Sequence, residues 1–200
     1  MINTTLKHNL SFELDQINVI IRLIFMNIDD IKKTITIVHD YPIPGIIFRD
    51  ITTLLEDPEA FKATVDIMIE KVSNLSFDRV VGIESRGFFW SAPIAYALSK
   101  PFVLARKPGK LPRRTVSREF ILEYGRNSVH IHADAIQKGE KILIVDDLIA
   151  TGGTAIATAE LCIELGASEV HTLALIDLPE LGGSKKIKEQ FGIVETLINY

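Results

Sequence analysis

Residues 144–154 read Ile-Val-Asp-Asp-Leu-Ile-Ala-Thr-Gly-Gly-Thr, and this stretch decides the fold. The apolar run from Lys141 to Val145 predicts a buried parallel strand. Asp146 and Asp147 stand at the carboxyl end of that strand, and a helical pattern follows the small residues. A strand that leads through acids into a tight turn and a helix is typical of α/β proteins. Such proteins bind ligands at the carboxyl ends of their parallel strands.

The turn that follows the two acids predicts a phosphate-binding loop, made of Ala150, Thr151, Gly152, Gly153 and Thr154. The first N–H groups of a helix have no partner within the helix, and the helix dipole is positive there. The glycines let the backbone approach an anion closely, and the threonines add hydroxyl donors. No lysine follows the glycines, so this is not the GxxxxGK[ST] nucleotide loop.

The carboxylates can accept hydrogen bonds from sugar hydroxyls, and the turn can bind a phosphate. The two features together predict a site for a sugar phosphate. The alternative is a capped strand-to-helix turn beside two solvated acids, with no ligand.

A second polar turn follows another predicted strand, at Glu84, Ser85, Arg86 and Gly87. By the same argument it predicts a second anion site at the same edge of the sheet. The alternative is a capped turn in which Arg86 pairs with Glu84. Two anion sites on one sheet edge suit a ligand with phosphates at both ends.

The segment from Arg106 to Arg118 carries six cations and no acid. A solvated basic loop or a weak nucleic-acid patch is one interpretation. The segment is long for a connection, and its cations and hydroxyls favour a lid that closes over a polyphosphate. Alternating residues over 120–124 and 129–132 predict a hairpin beyond it.

Composition limits the function classes. A chain of 200 residues fits one α/β domain, and a net charge of −4 argues against nucleic acid as a partner. The single cysteine, Cys162, fits a cytoplasmic protein. The stretch 12–25 is too charged for a membrane span, and the histidines show no metal-ligand spacing.

Residues 1–25 are expected to be an upstream extension, with Met26 as the natural start and residues 26–200 as a single domain. The alternative is a genuine N-terminal arm. Beyond Met26 the pattern predicts helices over 28–37, 57–72, 87–98, 152–165 and 185–190, and strands over 79–83, 101–105, 141–145, 169–176 and 193–198. Strands and helices in alternation predict an α/β fold with a central, mostly parallel sheet flanked by helices.

From Met26 to Ile198 the sequence resembles the type I phosphoribosyltransferases. The family signature matches the residues from Val145 to Thr154. Three further motifs are similar to members that act on adenine: Pro44-Gly-Ile-Ile-Phe-Arg-Asp50, Arg106-Lys-Pro-Gly-Lys-Leu-Pro112 and Leu122-Glu-Tyr-Gly125. The resemblance implies a small N-terminal hood and a flexible lid hairpin beside the central sheet.

The resemblance also implies an activity: adenine and 5-phosphoribosyl pyrophosphate (PRPP) give AMP and pyrophosphate. Breaking the bond at the anomeric carbon builds positive charge on the ribose, which nearby carboxylates stabilise. Asp146 and Asp147 are expected to accept hydrogen bonds from the ribose hydroxyls. The loop from Ala150 to Thr154 is expected to bind the 5′-phosphate.

Pyrophosphate leaves as a polyanion that cations must neutralise. The expected residues are those of the second turn and of the basic segment: Glu84, Ser85, Arg86, Gly87, Arg106, Lys107 and Lys110. Magnesium is the implied cofactor, held mainly by PRPP oxygens and water, with no dedicated protein ligands.

Adenine is flat and apolar on its faces, so Phe48 is expected to stack on it. By resemblance, backbone groups of Ile47 and Arg49 read its edge, Tyr124 lines the site, and Glu123 transfers a proton at the ring nitrogens. Without the resemblance, Phe48 is a core aromatic and Glu123 an outward-facing strand residue.

Two alternatives remain open. One is a phosphoribosyltransferase for another base, such as hypoxanthine, guanine or xanthine. The other is a non-catalytic regulator that senses PRPP, although the first 40 residues are too short for a convincing nucleic-acid-binding element and are not basic. The resemblance further implies a homodimer.

Overall fold

The computed structural model describes residues 26–122 and 125–200. The chain divides into two compact units, and the boundary between them falls after Asp66. Each unit is described by itself below. Of the described residues, none belongs to a helix long and apolar enough to cross a membrane.

Within its described residues, the N-terminal unit contains a short antiparallel strand pair and three helices. Its elements in chain order are helix α1 (Ile28–Thr34), strands β1 (Thr36–His39) and β2 (Ile47–Asp50), and helices α2 (Thr52–Glu56) and α3 (Pro58–Lys71), the last of which continues past the boundary. Asn27 caps α1 by accepting from the Asp30 N–H at 3.0 Å. Asp57 accepts from the N–H groups of Glu59 and Ala60 at 3.0 Å, so it is the predicted cap of α3.

Two local predictions in this unit were wrong. The helix predicted over 28–37 ends at Thr34, and residues 36–39 form a strand instead. Residues 47–50, for which no strand was predicted, form the strand that pairs with it, with Val38 opposite Phe48. Each strand has a partner across a turn, a pairing that a local pattern does not contain.

The C-terminal unit is built on a five-stranded parallel sheet. The strands are β3 (Arg79–Ile83), β4 (Phe102–Ala105), β7 (Lys141–Ile149), β8 (Glu169–Asp177) and β9 (Val194–Asn199). Their order is β4-β3-β7-β8-β9, and every neighbouring pair is parallel. The predicted α/β class and central parallel sheet are confirmed.

The strand order places a topological switch point between β3 and β7. From β3 the chain proceeds to β4 on one side, and from β7 it proceeds to β8 and β9 on the other side. Connections on opposite sides leave a crevice at the carboxyl ends of these two strands, where α/β sheets bind ligands. Both predicted anion-binding turns follow these two strands.

Helices cover the sheet because its strands are apolar on both faces. Ile142, Leu143, Ile144 and Val145 are all 0% exposed. The covering helices are α4 (Phe88–Ala97), α5 (Gly153–Glu164) and α6 (Gly183–Phe191), and a short 3-10 turn (Pro179–Leu181) precedes α6.

A long antiparallel hairpin of β5 (Thr115–Leu122) and β6 (Gly125–His132) accompanies the sheet. It is longer than the hairpin predicted from alternation. Arg118 on β5 pairs with two acids of α5, Glu160 at 3.3 Å and Glu164 at 2.8 Å. The body of the hairpin is therefore attached to the helix that follows the predicted phosphate loop.

Candidate active site

The predicted phosphate loop connects β7 to α5 directly. Gly152 lies at the N-cap of α5 with φ of 84°, a left-handed conformation that side chains rarely adopt. Because of this turn, only residues 150–152 separate the end of the strand from the first residue of the helix. A cavity of about 100 Å³ is lined by Asp146 and the whole predicted loop, Ala150 to Thr154. The sequence had placed these residues in one site, and they line one cavity.

The two predicted carboxylates are buried side by side on β7. Asp146 is 9% exposed and Asp147 is 6% exposed. The Asp147 N–H donates to Asp146 Oδ1 at 2.8 Å. Burial and the neighbouring charge of Asp147 raise the pKa of Asp146 well above its ordinary value. Burial also raises the pKa of Asp147, although the positive charge of Arg86 opposes that shift.

Arg86 connects the two turns of the crevice. Its Nε lies 2.9 Å from Asp147 Oδ2, in an ion pair that is well shielded on the acid side. The sequence had offered a pair between Arg86 and Glu84 as the alternative to an anion site. The acid that Arg86 pairs with is instead Asp147, on the neighbouring strand.

Gly87 explains how the second turn comes so close to the acids. A Cβ at this position would lie 2.6 Å from the Ile83 carbonyl oxygen, 2.8 Å from that of Val145 and 3.0 Å from Asp146 Oδ1. Any side chain at residue 87 would therefore push the second turn away from β7. The glycine was predicted as an anion-binding residue, and it also allows this close packing.

Glu84 is fixed by the start of the basic segment. It accepts from Arg106 Nε at 3.0 Å and from the Lys107 N–H at 3.0 Å. Burial alone would raise the pKa of Glu84, but the Lys107 N–H and the Arg106 guanidinium outweigh it and lower the pKa below its ordinary value. Arg106 also donates to the Lys110 carbonyl oxygen at 3.0 Å, so it orders the segment.

A second, smaller cavity shows which elements meet around these residues. It measures about 80 Å³ and is lined by Glu84, Arg106, Lys107 and Thr154 together with hairpin residues. The second turn, the basic segment and the phosphate loop therefore border one space. Asn127 and Ser128 of β6 also line it and were not predicted. Their only sequence signal was their place in the hairpin.

A larger cavity, of about 530 Å³, lies elsewhere in the C-terminal unit. It is lined by the end of α3, residues 72–77, Leu98 and Lys100. No predicted site residue borders it. We assign the active site to the crevice because the acids and both polar turns lie there.

The residues predicted for the base fall into two groups. Ile47, Phe48 and Arg49 lie on β2 of the N-terminal unit, where Phe48 is half-buried and packs edge-to-face against Tyr41 with ring centroids 5.1 Å apart. The Arg49 guanidinium donates to the Ile47 carbonyl oxygen at 2.9 Å. Glu123 and Tyr124 lie outside the described residues.

Comparisons with known proteins agree with this chemistry. The chain matches the phosphoribosyl transferase domain family over residues 50–197. It is 50% identical over 173 residues to the adenine phosphoribosyltransferase of Haemophilus influenzae, covering 86% of this chain and 96% of that protein.

Solved structures give the same result. The adenine phosphoribosyltransferase of Thermoanaerobacter pseudethanolicus superposes with a TM-score of 0.84 at 41% identity, covering 87% of this chain and 100% of that one. The Giardia lamblia enzyme complexed with 9-deazaadenine superposes with a TM-score of 0.83 at 29% identity, covering 87% and 98%.

The burial of Asp146 predicts that this residue lowers the stability of the ligand-free protein. Its pKa is higher in the folded protein than in the unfolded chain, so the ionised form destabilises the fold at neutral pH. We expect Asp146→Asn to raise the melting temperature of the ligand-free protein at pH 7.5. The increase should be about 2–4 °C for each kcal/mol of unfavourable charge burial that the substitution removes. The gain should shrink as the pH falls towards about 3.9, the pKa of an unperturbed aspartate.

Thermal unfolding of both proteins between pH 4 and 8 measures this effect. Asp134→Asn is the control, because that carboxylate is 66% exposed. A lower melting temperature for Asp146→Asn at every pH would contradict the prediction.

Proposed function

The chain belongs to the phosphoribosyltransferase family, and we propose that its crevice performs the family reaction with the residue roles set out below. The reaction transfers the phosphoribosyl group of PRPP to adenine and releases AMP and pyrophosphate. The protein is thus a pentosyl-transferring glycosyltransferase of purine salvage. One observation carries the role assignment: two buried carboxylates and two polar turns meet at the switch point of the sheet.

The ribose binds at the centre of this site. Asp146 and Asp147 accept hydrogen bonds from its 2′- and 3′-hydroxyls, and their negative charge stabilises the positive charge that develops on the ring. The buried surroundings strengthen that interaction because little water screens it. The loop from Ala150 to Thr154 holds the 5′-phosphate through backbone N–H groups and the threonine hydroxyls.

The pyrophosphate end binds at the second turn. Ser85, Arg86 and Gly87 precede the N-terminus of α4, and Arg106, Lys107 and Lys110 supply further positive charge. Glu84 does not face an anion in this assignment. It accepts from Arg106 and from the Lys107 N–H, and so positions the basic segment beside the turn.

Magnesium fits the donor set of this site. Among residues 26–122 and 125–200, no group of three or more acids, histidines or cysteines is placed to hold a metal ion. A magnesium ion here would take most of its ligands from PRPP oxygens and water, and Asp146 and Asp147 are the carboxylates of the crevice that could accept hydrogen bonds from those waters. When bound, it neutralises part of the charge on the departing pyrophosphate.

Adenine recognition is assigned to Phe48, Ile47, Arg49 and Tyr124, with Glu123 as the proton-transfer residue. Phe48 offers an aromatic face that its edge-to-face contact with Tyr41 orients. Glu123 is assigned the proton transfer because a carboxyl group is suited to general acid–base catalysis at the ring nitrogens.

We further propose a homodimer in the cytoplasm. Helix α4 presents an apolar outer face to solvent, where Phe89 is 43% exposed and Tyr96 is 89% exposed. A second copy of the chain would cover this face, and α4 begins immediately after the pyrophosphate turn. Cys162 is buried and its pKa is raised by burial to about 12, so this thiol suits a reducing compartment and takes no part in catalysis.

The assay for the reaction follows AMP formation from adenine and PRPP. We expect AMP only when magnesium is present, and loss of activity when a chelator removes the metal. Hypoxanthine and guanine serve as competing bases in the same assay. Robust turnover of hypoxanthine without adenine turnover would assign the chain to another base, and PRPP binding without turnover of any base would favour the regulator.

The role of Glu123 is tested by Glu123→Gln. We expect turnover to fall by about 100-fold or more, the usual contribution of general acid–base catalysis. PRPP affinity should change little, because Glu123 is assigned to the base. Glu119→Gln is the matched control, since Glu119 is exposed on the same hairpin. Unchanged turnover in Glu123→Gln would remove it from the mechanism.

The dimer is tested by placing a charge on the apolar face of α4. We expect Tyr96→Glu to dissociate the protein into monomers, because a buried carboxylate without a partner is strongly unfavourable at an interface. Sedimentation velocity at micromolar concentration measures the change. Lys185→Glu is the control, on an 81% exposed side chain elsewhere. A monomeric parent protein would refute the dimer.

A further inference from the structure

The segment from Leu178 to Ser184 lies against the back of the phosphate loop. In the sheet, Asp177 at the end of β8 pairs with Ile149 at the end of β7. The chain continues beside the loop, because the Leu178 N–H donates to the Ile149 carbonyl oxygen at 3.0 Å and the Gly183 N–H donates to that of Ala150 at 3.1 Å. One element outside the loop is therefore hydrogen-bonded to both the strand end and the first loop residue.

Gly183 contacts the loop backbone directly, with no side chain between them. A Cβ at this position would lie 2.3 Å from the Ala150 carbonyl oxygen, 2.6 Å from the Gly152 nitrogen and 2.8 Å from the Thr151 carbonyl carbon. The contact is reciprocal, since a Cβ at Gly152 would lie 3.0 Å from the Gly183 carbonyl oxygen. Three consecutive loop residues thus rest on one glycine.

Gly183 is itself held in place by a partly buried hydrogen bond. Asp177 is only 6% exposed, and the Ser184 hydroxyl donates to its Oδ2 at 2.7 Å. This bond ties the first turn of α6 to the end of the sheet. Ile187, one turn further along the helix, is 0% exposed and anchors α6 in the core. The chain is therefore anchored immediately after Gly183, at Ser184 and at Ile187.

We propose that Gly183 is a positioning residue for the 5′-phosphate, held in register by the hydrogen bond between Ser184 and Asp177. The proposal rests on the proposed function, in which the loop from Ala150 to Thr154 binds that phosphate. Neither Gly183 nor Asp177 touches the ligand. Their effect passes through the loop backbone.

The physical reason is the freedom of a glycine-rich turn. Gly152 and Gly153 give the loop its close approach to an anion, but glycine also populates many backbone conformations. A phosphate bound through backbone N–H groups needs several of them to converge on one point, and small misplacements weaken such a site strongly. Because the backbone of Gly183 packs against the loop, the loop is held, before the ligand binds, in the conformation in which its N–H groups point to one position.

This role predicts an effect confined to one end of the substrate. The loop binds the 5′-phosphate, whereas pyrophosphate binds at the second turn. A change at residue 183 should therefore weaken ligands that carry the 5′-phosphate and spare pyrophosphate. A general loss of stability would weaken both.

The test is Gly183→Ala in the full chain, with equilibrium binding of ribose 5-phosphate, AMP and pyrophosphate measured by calorimetry. We expect the affinity for ribose 5-phosphate and AMP to fall by about tenfold or more. The KM for PRPP should increase correspondingly. Pyrophosphate affinity and KM for adenine should not change. Lys185→Ala, two residues along the same helix and exposed, should match the parent protein.

A second set of variants keeps Gly183 and changes its support. Ser184→Ala and Asp177→Ala should each weaken ribose 5-phosphate binding, and the double variant should be no weaker than the worse single one, because both remove the same bond. Asp177→Asn retains an acceptor for Ser184 and should restore most of the affinity. If Gly183→Ala does not fold, ribose 5-phosphate binding by these variants tests the proposal in its place.

Two outcomes would overturn the proposal. One is unchanged ribose 5-phosphate affinity in Gly183→Ala, and the other is an equal loss for ribose 5-phosphate and pyrophosphate. In either case AMP formation by the parent protein would stand, and so would the proposed function. Failure of the parent protein to form AMP would instead refute the proposed function itself.

Discussion

The active site depends on the burial of two adjacent carboxylates at the end of one strand. Removing Asp146 and Asp147 from water is unfavourable, and their proximity adds repulsion. The protein offsets this with the Arg86 ion pair and with the Asp147 N–H bonded to Asp146. The strand that carries them is anchored by four consecutive side chains that are 0% exposed. The packed core of the sheet provides the stability that offsets the unfavourable burial of these two acids.

Glycines allow the rest of the site to assemble around these acids. Gly87 brings the second turn against Val145 and Asp146, and Gly152 and Gly183 bring α6 against the phosphate loop. In each case the atoms that a Cβ would meet are mostly backbone, which has little room to move. The site therefore consists of backbone segments packed directly on one another. Such packing suits phosphate binding, because backbone N–H groups are the donors.

Local patterns were sufficient to predict the parts of the site that lie on continuous segments. A strand, two acids and a glycine turn occur within eleven residues, so their chemistry could be inferred without knowing the fold. The predicted strand stopped at Val145 because acids are rare inside strands. In the structure β7 continues to Ile149, since β8 pairs with it as far as Asp177. The contribution of Gly183 had no local signal at all, because its contacts lie about thirty residues away in sequence. The pairing of Arg86 with Asp147, on a neighbouring strand, was missed for the same reason.

The ion pairs of the crevice bear on the proposed role of magnesium. Arg86 pairs with Asp147 and Arg106 pairs with Glu84, so two of the cations assigned to pyrophosphate already contact acids. Binding a polyanion there must compete with these pairs, and the phosphate loop adds dipoles but no charged side chain. In the proposed reaction, a divalent ion chelated by the substrate oxygens would add positive charge that these two paired arginines do not supply. The two ion pairs balance charge within the crevice, and the proposed reaction places both carboxylates beside the ribose, where positive charge develops.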